Sequence, residues 1–232
     1  MIAFLLMLSA AAFFVPRANA DTLQYVGPAY GGYINTWGLS NEDPAAISSS
    51  PMAGGFMMSN LTNPAGSFAA WCVDIFTYLD VSPAGSSYNT VDSGSLFGNS
   101  GTVNALERLA SQRLDSLMLG NDVVNSGAFQ LATWEIVNEK SGIFDLGSGS
   151  FMVQGATGNA IATANSWLST LDSGVITKSL VVSSWQSANG GSQDIATFTS
   201  PVPEPEIYAM MLAGLGLMGF VARRRKQNVS LG

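Results

Sequence analysis

The sequence predicts an α+β fold, an antiparallel β-sheet or barrel with an inserted helical part, bounded by an N-terminal signal peptide and one C-terminal transmembrane helix. Three observations predict it. Short alternating apolar runs rich in Tyr, Trp and Gly occupy the start of the body, apolar residues at helical spacing occupy its middle, and alternation returns at its end. Strands, then helices, then strands argue for segregated elements rather than a doubly wound parallel sheet. No internal repeat interrupts that order.

Within the body, residues 21–200, the stretch 23–39 reads as strands joined by tight turns. Further strands are expected at 56–58 and 67–79, with breaks at Asn63-Pro64 and at Ser82-Pro83-Ala84-Gly85. Over 102–119, Val103, Leu106, Leu109, Leu114 and Leu117 recur at helical spacing, and Thr102 is placed to cap the start. A second helix is expected over 126–139 and a third over 159–171. The segments 179–185 and 194–199 alternate as a closing hairpin around Asn189-Gly190-Gly191. The Gly/Ser-rich patches at 82–101 and 146–150 read as loops.

Both ends differ from the body. Residues 2–15 are an apolar run followed by Pro16 and by Ala18-Asn19-Ala20, a small-residue cleavage pattern. The run is short for a bilayer span and has the flanks of a secretory signal, residues 1–20, cut after Ala20. No Lys or Arg precedes it, so the true start can lie upstream. At the other end Val202, Pro203, Glu204, Pro205 and Glu206 form an extended breaker segment. Residues 207–222 follow without a charge; as a helix they rise roughly 24 Å, at the short end for a bilayer core. Arg223, Arg224, Arg225 and Lys226 close the segment, and the positive-inside preference holds them on the cytoplasmic side.

The Pro-Glu-Pro box, the glycine-bearing span and the basic end together resemble the PEP-CTERM sorting signal of exopolysaccharide-producing Gram-negative bacteria, over 201–227. The resemblance implies recognition by an exosortase, a membrane cysteine peptidase that cuts near the box and passes its substrate to a surface or extracellular-matrix destination. It implies an exported cell-envelope protein of a biofilm-forming cell, anchored at first in the inner membrane through its C-terminal helix. Its partners would then be the secretion machinery and the exosortase.

Composition narrows the chemistry. The chain carries a formal charge of −7, and between residues 21 and 200 its cations are Arg108, Arg113, Lys140 and Lys178. Such an acidic body has no electrostatic footprint for a phosphate backbone, so nucleic acid is not an expected partner. There is no histidine, which removes Ser-His-Asp and Cys-His catalysis and nearly all zinc sites. The one cysteine, Cys72, cannot make an intramolecular disulfide. No Asp-rich loop has calcium-binding spacing, and neither metal nor cofactor is expected.

Two segments stand out. Ala70-Trp71-Cys72-Val73-Asp74-Ile75-Phe76 is an apolar strand with the thiol. Ala128-Phe129-Gln130-Leu131-Ala132-Thr133-Trp134 opens an almost wholly apolar helix with one glutamine. Gln130, Trp134 and Val137 share a helix face, and an amide buried there costs a few kcal/mol unless it finds partners. The two segments resemble those of the thioester domain of bacterial surface adhesins, in which an aromatic-Cys-apolar segment is joined covalently to the glutamine of a helix. On that resemblance Cys72 and Gln130 form the thioester. Trp71, Phe129 and Trp134 shield it from water, and Asp74 is a candidate to orient the amide or the incoming amine. The implied activity is single-turnover attachment to an amine-bearing surface or an extracellular polysaccharide, with no enzymatic turnover and no catalytic residue.

Two other readings remain open on the residues alone. Cys72 can be a small buried hydrophobe and Gln130 a strand-edge cap, in a non-covalent, polysaccharide-associated matrix module. Alternatively Asp74, Asp80, Glu135 and Glu139 can supply a carboxylate pair for sugar hydrolysis, although Glu135 and Glu139 at four-residue spacing also suit a solvated helix edge.

Overall fold

A computed structural model describes residues 20–41, 50–63, 66–176 and 178–201, with 211–212, 214–215 and 217–218. The signal segment up to Asn19, the box from Val202 to Pro205 and the basic run Arg223–Lys226 lie outside the described residues, as does most of 207–222. Among the described residues no helix is long and apolar enough to cross a membrane.

Six strands close a barrel: β1 (Asp21–Pro28), β4 (Phe56–Asn60), β5 (Ser67–Cys72), β9 (Ile195–Thr199), β8 (Val181–Ser187) and β6 (Ser86–Val91), in that order around the wall. Every neighbouring pair is antiparallel. Closure removes the open edges that a six-stranded sheet would otherwise expose. A second sheet has the order β3 (Met52–Ala53), β2 (Ile34–Asn41), β7 (Phe151–Ala156). The helices α1 (Ser93–Phe97), α2 (Ser100–Gly120), α3 (Val123–Asn138) and α4 (Ala160–Ser169) all fall between β6 and β8 in the chain. The expected α+β class, with helices inserted into an antiparallel barrel, is what forms.

Several expected boundaries move, each for a local reason. The strand expected over 67–79 stops at Cys72, because the Asp74 carboxylate accepts from the Phe76 N–H and turns the chain. The start of α2 is capped by Asn99, whose side-chain oxygen accepts from the Thr102 N–H at 2.7 Å; Thr102 is the recipient of the cap, not the cap. The patch 82–101 is not all loop: Ser86–Val91 is a barrel strand, with Tyr88 buried and Ser87 and Thr90 exposed. β7 sits among glycines and serines and was not expected either; it is a strand because β2 pairs with it from Thr36↔Ala156 to Asn41↔Phe151. The closing hairpin is present as expected, paired from Val181↔Thr199 to Trp185↔Ile195.

α3 is the central element. It is buried around its whole circumference, with the apolar Ala128, Phe129, Leu131, Ala132, Trp134 and Ile136 and the polar Ser126, Gln130, Thr133 and Glu135 all inside. That is possible because it is enclosed by the barrel strand β5, the small sheet, α2 and α4. Gly127 permits the closest approach, since a Cβ there would lie 2.3 Å from the Ile34 side chain on β2. Ser126 fixes the other contact by accepting the Gly55 N–H at 3.0 Å, just before β4 begins. The helix is thereby held against the end of β5, where Cys72 lies.

Candidate functional site

Along β5, Cα pairing with β4 runs from Ser59↔Ser67 to Phe56↔Ala70 and then ends. On the other side β5 continues beside β9, with Trp71 opposite Ala196 and Cys72 opposite Ile195, and the Val73 N–H donates to the Asp194 carbonyl at 3.0 Å. Antiparallel ladders alternate their bonds between neighbours. If Val73 bonds toward β9, the N–H and C=O of Cys72 point toward β4, where no strand remains to receive them. Gln130 of α3 fills that place. Its Oε1 accepts from the Cys72 N–H at 3.0 Å, and its Nε2 donates to the Cys72 carbonyl at 2.8 Å. The carboxamide thus completes the ladder in place of a strand and satisfies a backbone pair that burial would otherwise penalise. Cys72 is 6% exposed and Gln130 1%.

Trp71 and Cys72 are consecutive in a strand, so their side chains leave opposite faces. Trp71 enters the core between barrel and helix, with its ring centroid 4.8 Å from Phe129 and 5.7 Å from Phe198, and with Tyr30 stacked at 5.6 Å. Cys72 faces a cleft of about 410 Å³ shared with Gln130, Trp134, Tyr25, Tyr33 and Asp74. Of the three expected shielding residues, Trp134 lines the cleft itself, while Trp71 and Phe129 lie behind the site. The outer rim is the turn after Cys72, where Phe76 and Tyr78 are 54% and 74% exposed.

The sulfur is not a ready nucleophile. Its S–H donates to the Asp74 carbonyl at 2.9 Å. Burial pushes the thiol up to about 12; the indole N–H of Trp134 opposes that rise, the negative fields of Asp74 and Asp194 add to it, and the backbone contact at Asp74 opposes it too. At neutral pH the group is a protonated thiol, and any reaction must remove its proton. Asp74 contributes its backbone oxygen to the sulfur, while its carboxylate is occupied with the Phe76 N–H.

The four carboxylates considered for sugar hydrolysis do not come together in the cleft: Glu135 and Glu139 neighbour each other away from it. The cleft contains Asp74 and none of the other three. Asp80 is tied to Ser82 and Ser86, whose N–H and hydroxyl groups lower it. Glu135, on α3, is fully buried, accepts the Asp145 N–H at 2.7 Å, and is raised to about 8 chiefly by burial. Burial works to raise Glu139 as well, but N–H donors from Ser141, Ser150 and Phe151 win and hold it low. Glu139 is therefore an inward-turned loop anchor and not a solvated helix edge. Among the described residues no group of three acidic, Cys or His side chains could hold a metal ion.

The features missed in the sequence are the turn after Cys72 and the two tyrosines. Tyr33 donates its hydroxyl to that of Tyr25 at 3.2 Å across the cleft wall. The only available signal was the aromatic density of 23–39, which does not distinguish a cleft lining from a core.

Two kinds of likeness to known proteins are found, one in the C-terminal sequence and one in the course of the chain. Residues 201–226 match the family model described as the PEP-CTERM protein-sorting motif, which implies exosortase-dependent export. No curated protein sequence matches the chain. The structure is similar to a cysteine-to-alanine mutant of the N-terminal thioester domain of a surface protein from Clostridium perfringens, with 12% identity, a TM-score of 0.46, and coverage of 73% of this chain and 99% of that one. The same domain without the mutation gives 14% identity, a TM-score of 0.41, and coverage of 72% and 99%. The N-terminal domain of the Streptococcus pyogenes pilus tip adhesin Cpa gives 11%, 0.43, 80% and 96%. These likenesses are distant in sequence and in superposition. The chain carries the PEP-CTERM sorting motif, and the solved structures it is distantly similar to include thioester domains of a surface protein and the N-terminal domain of a pilus tip adhesin.

Proposed function

We propose that this is an exported surface or matrix protein that attaches covalently to a partner amine through a thioester between Cys72 and Gln130. The observation that supports the reading is the pair of hydrogen bonds that clamps the Gln130 carboxamide to Cys72 at the end of β5. Sγ of Cys72 attacks Cδ of Gln130, the C–N bond breaks, the thiol proton passes to the departing nitrogen, and ammonia leaves. The Cys72 N–H already donates to Oε1, so it stabilises the negative charge that this oxygen gains in the tetrahedral intermediate. A partner amine then attacks the same carbon, forms an amide through Gln130, and returns the proton to the sulfur. Burial keeps water from competing, and the body offers only Lys140 and Lys178 as internal lysine amines.

Delivery follows from the tail. The Pro203-Glu204-Pro205 box is the exosortase recognition element, the span 207–222 holds the precursor in the inner membrane of a Gram-negative cell, and Arg223–Lys226 stay cytoplasmic. The destination is the cell surface or an exopolysaccharide matrix.

Intact mass of the full chain decides the chemistry, read against Cys72→Ala and Gln130→Ala. A wild-type mass short by one ammonia, with neither variant showing the deficit, is the expected result. A full mass with an alkylatable Cys72 in fresh protein would overturn it. The exposed Phe76 and Tyr78 rim favours a second reading in that event, a non-covalent matrix module that binds through the same cleft.

A further inference from the structure

The indole nitrogen of Trp134 is buried and has no hydrogen-bond partner among the described residues. A buried donor without an acceptor costs about as much as a lost hydrogen bond, so its position calls for a reason. Trp134 lies one helical turn beyond Gln130 and lines the same cleft as Cys72 and Gln130. The sulfur already has an acceptor for its own proton in the Asp74 carbonyl. What it lacks is a donor for the moments when it carries no proton.

We propose that the indole N–H of Trp134 donates to Sγ of Cys72 and stabilises the sulfur as it enters and leaves the thioester. The inference rests on the thioester reading above and adds a residue that touches a reacting atom. In the forming step the thiol loses its proton to the Gln130 nitrogen as the C–S bond forms and the C–N bond breaks. In the opening step the amine nitrogen bonds to Cδ, the C–S electron pair returns to sulfur, and the proton shed by the amine ends there. In both steps negative charge gathers on Sγ, and the Asp74 carbonyl, an acceptor, cannot help. A neutral N–H from a buried indole can. A donor at that position also opposes the rise of the Cys72 thiol caused by burial.

Trp134→Phe keeps an aromatic filler and removes the donor. In the full-length protein, opening of the thioester by methylamine, followed by mass, is expected to slow roughly ten- to hundredfold, the worth of one hydrogen bond to a charged acceptor. A wild-type thioester opened at the same rate and with the same pH profile in Trp134→Phe would overturn the inference and leave the thioester reading intact. A wild type without a thioester would sink that reading instead. The donor is then tested alone, in a Gln130→Ala background where Cys72 is a free thiol. There the pH profile of iodoacetamide alkylation is expected to move to higher pH when Trp134→Phe is added, and coincident profiles would overturn the inference. A merely structural role for the ring would lower the melting temperature without moving either profile. Should Trp134→Phe not fold, benzothienylalanine at position 134 keeps the bicyclic shape without the N–H and carries the same expectations.

Discussion

The side chain of Gln130 pairs with the backbone of Cys72 as a neighbouring strand would, accepting its N–H at 3.0 Å and donating to its carbonyl at 2.8 Å. The bond pattern admits only one orientation of the carboxamide, since the backbone offers one donor and one acceptor. It places a side-chain carbonyl carbon beside the thiol-bearing residue.

Gln130→Ala should therefore be costly even where no thioester exists. In a Cys72→Ala background, which keeps both backbone groups and excludes a bond to sulfur, it leaves a buried N–H and C=O unpaired. A loss of about 2–5 kcal/mol is expected from denaturant unfolding. Gln130→Glu should be pH-dependent, because an ionised carboxylate offers no donor to the Cys72 carbonyl, so its stability falls as pH rises.

Glu135 gives the fold a pH dependence of its own. Its carboxyl is raised from 4.5 to about 8, first by burial and then by Glu139 and Asp145, with the Asp145 N–H opposing. A group raised in the folded state binds its proton more tightly there than in the unfolded chain. Its stabilising contribution is complete below about 4.5 and is lost as pH rises through about 8. Glu135→Gln keeps an acceptor for the Asp145 N–H and removes the titration. The denaturant midpoint of the variant should fall less than that of the wild type between about pH 5 and 9.

Gly127→Ala tests whether packing outweighs propensity in α3. Alanine should favour the helix by about 1 kcal/mol, yet the added Cβ would meet Ile34, itself buried, at 2.3 Å. A net loss of about 1–3 kcal/mol is expected. Ile34→Val should recover part of it, since it removes a methyl from the crowded side chain. Thermal unfolding of the single and double variants gives the comparison.

The capping of α2 separates two adjacent candidates. Asn99→Ala removes the side-chain acceptor for the Thr102 N–H and should cost about 1 kcal/mol. Thr102→Ala leaves that N–H in place and should stay within about 0.5 kcal/mol of the wild type. Equal losses would contradict the capping geometry.

By itself the sequence determined the class of the fold and the identity of the two reactive candidates. The 3.6-residue period over 102–119, the apolar helix around Gln130 and the alternation at both ends of the body are local patterns, and local patterns survive in a single chain. The sorting box is likewise a contiguous motif, readable without structure. Only the tertiary structure decided how those candidates meet. That Ser86–Val91 and Phe151–Ala156 are strands depends on partners far along the chain, which outweigh their Ser, Gly and Asn content. That Cys72 and Gln130 touch depends on β4 ending at Phe56 while β5 runs two residues further. Trp71 and Trp134 are equally aromatic neighbours of the pair in sequence, but strand alternation turns one into the core and the helical turn brings the other to the cleft. Such assignments follow from the directions of side chains on two different elements, and the relative placement of those elements is fixed by burial over long range and not by any short window of residues.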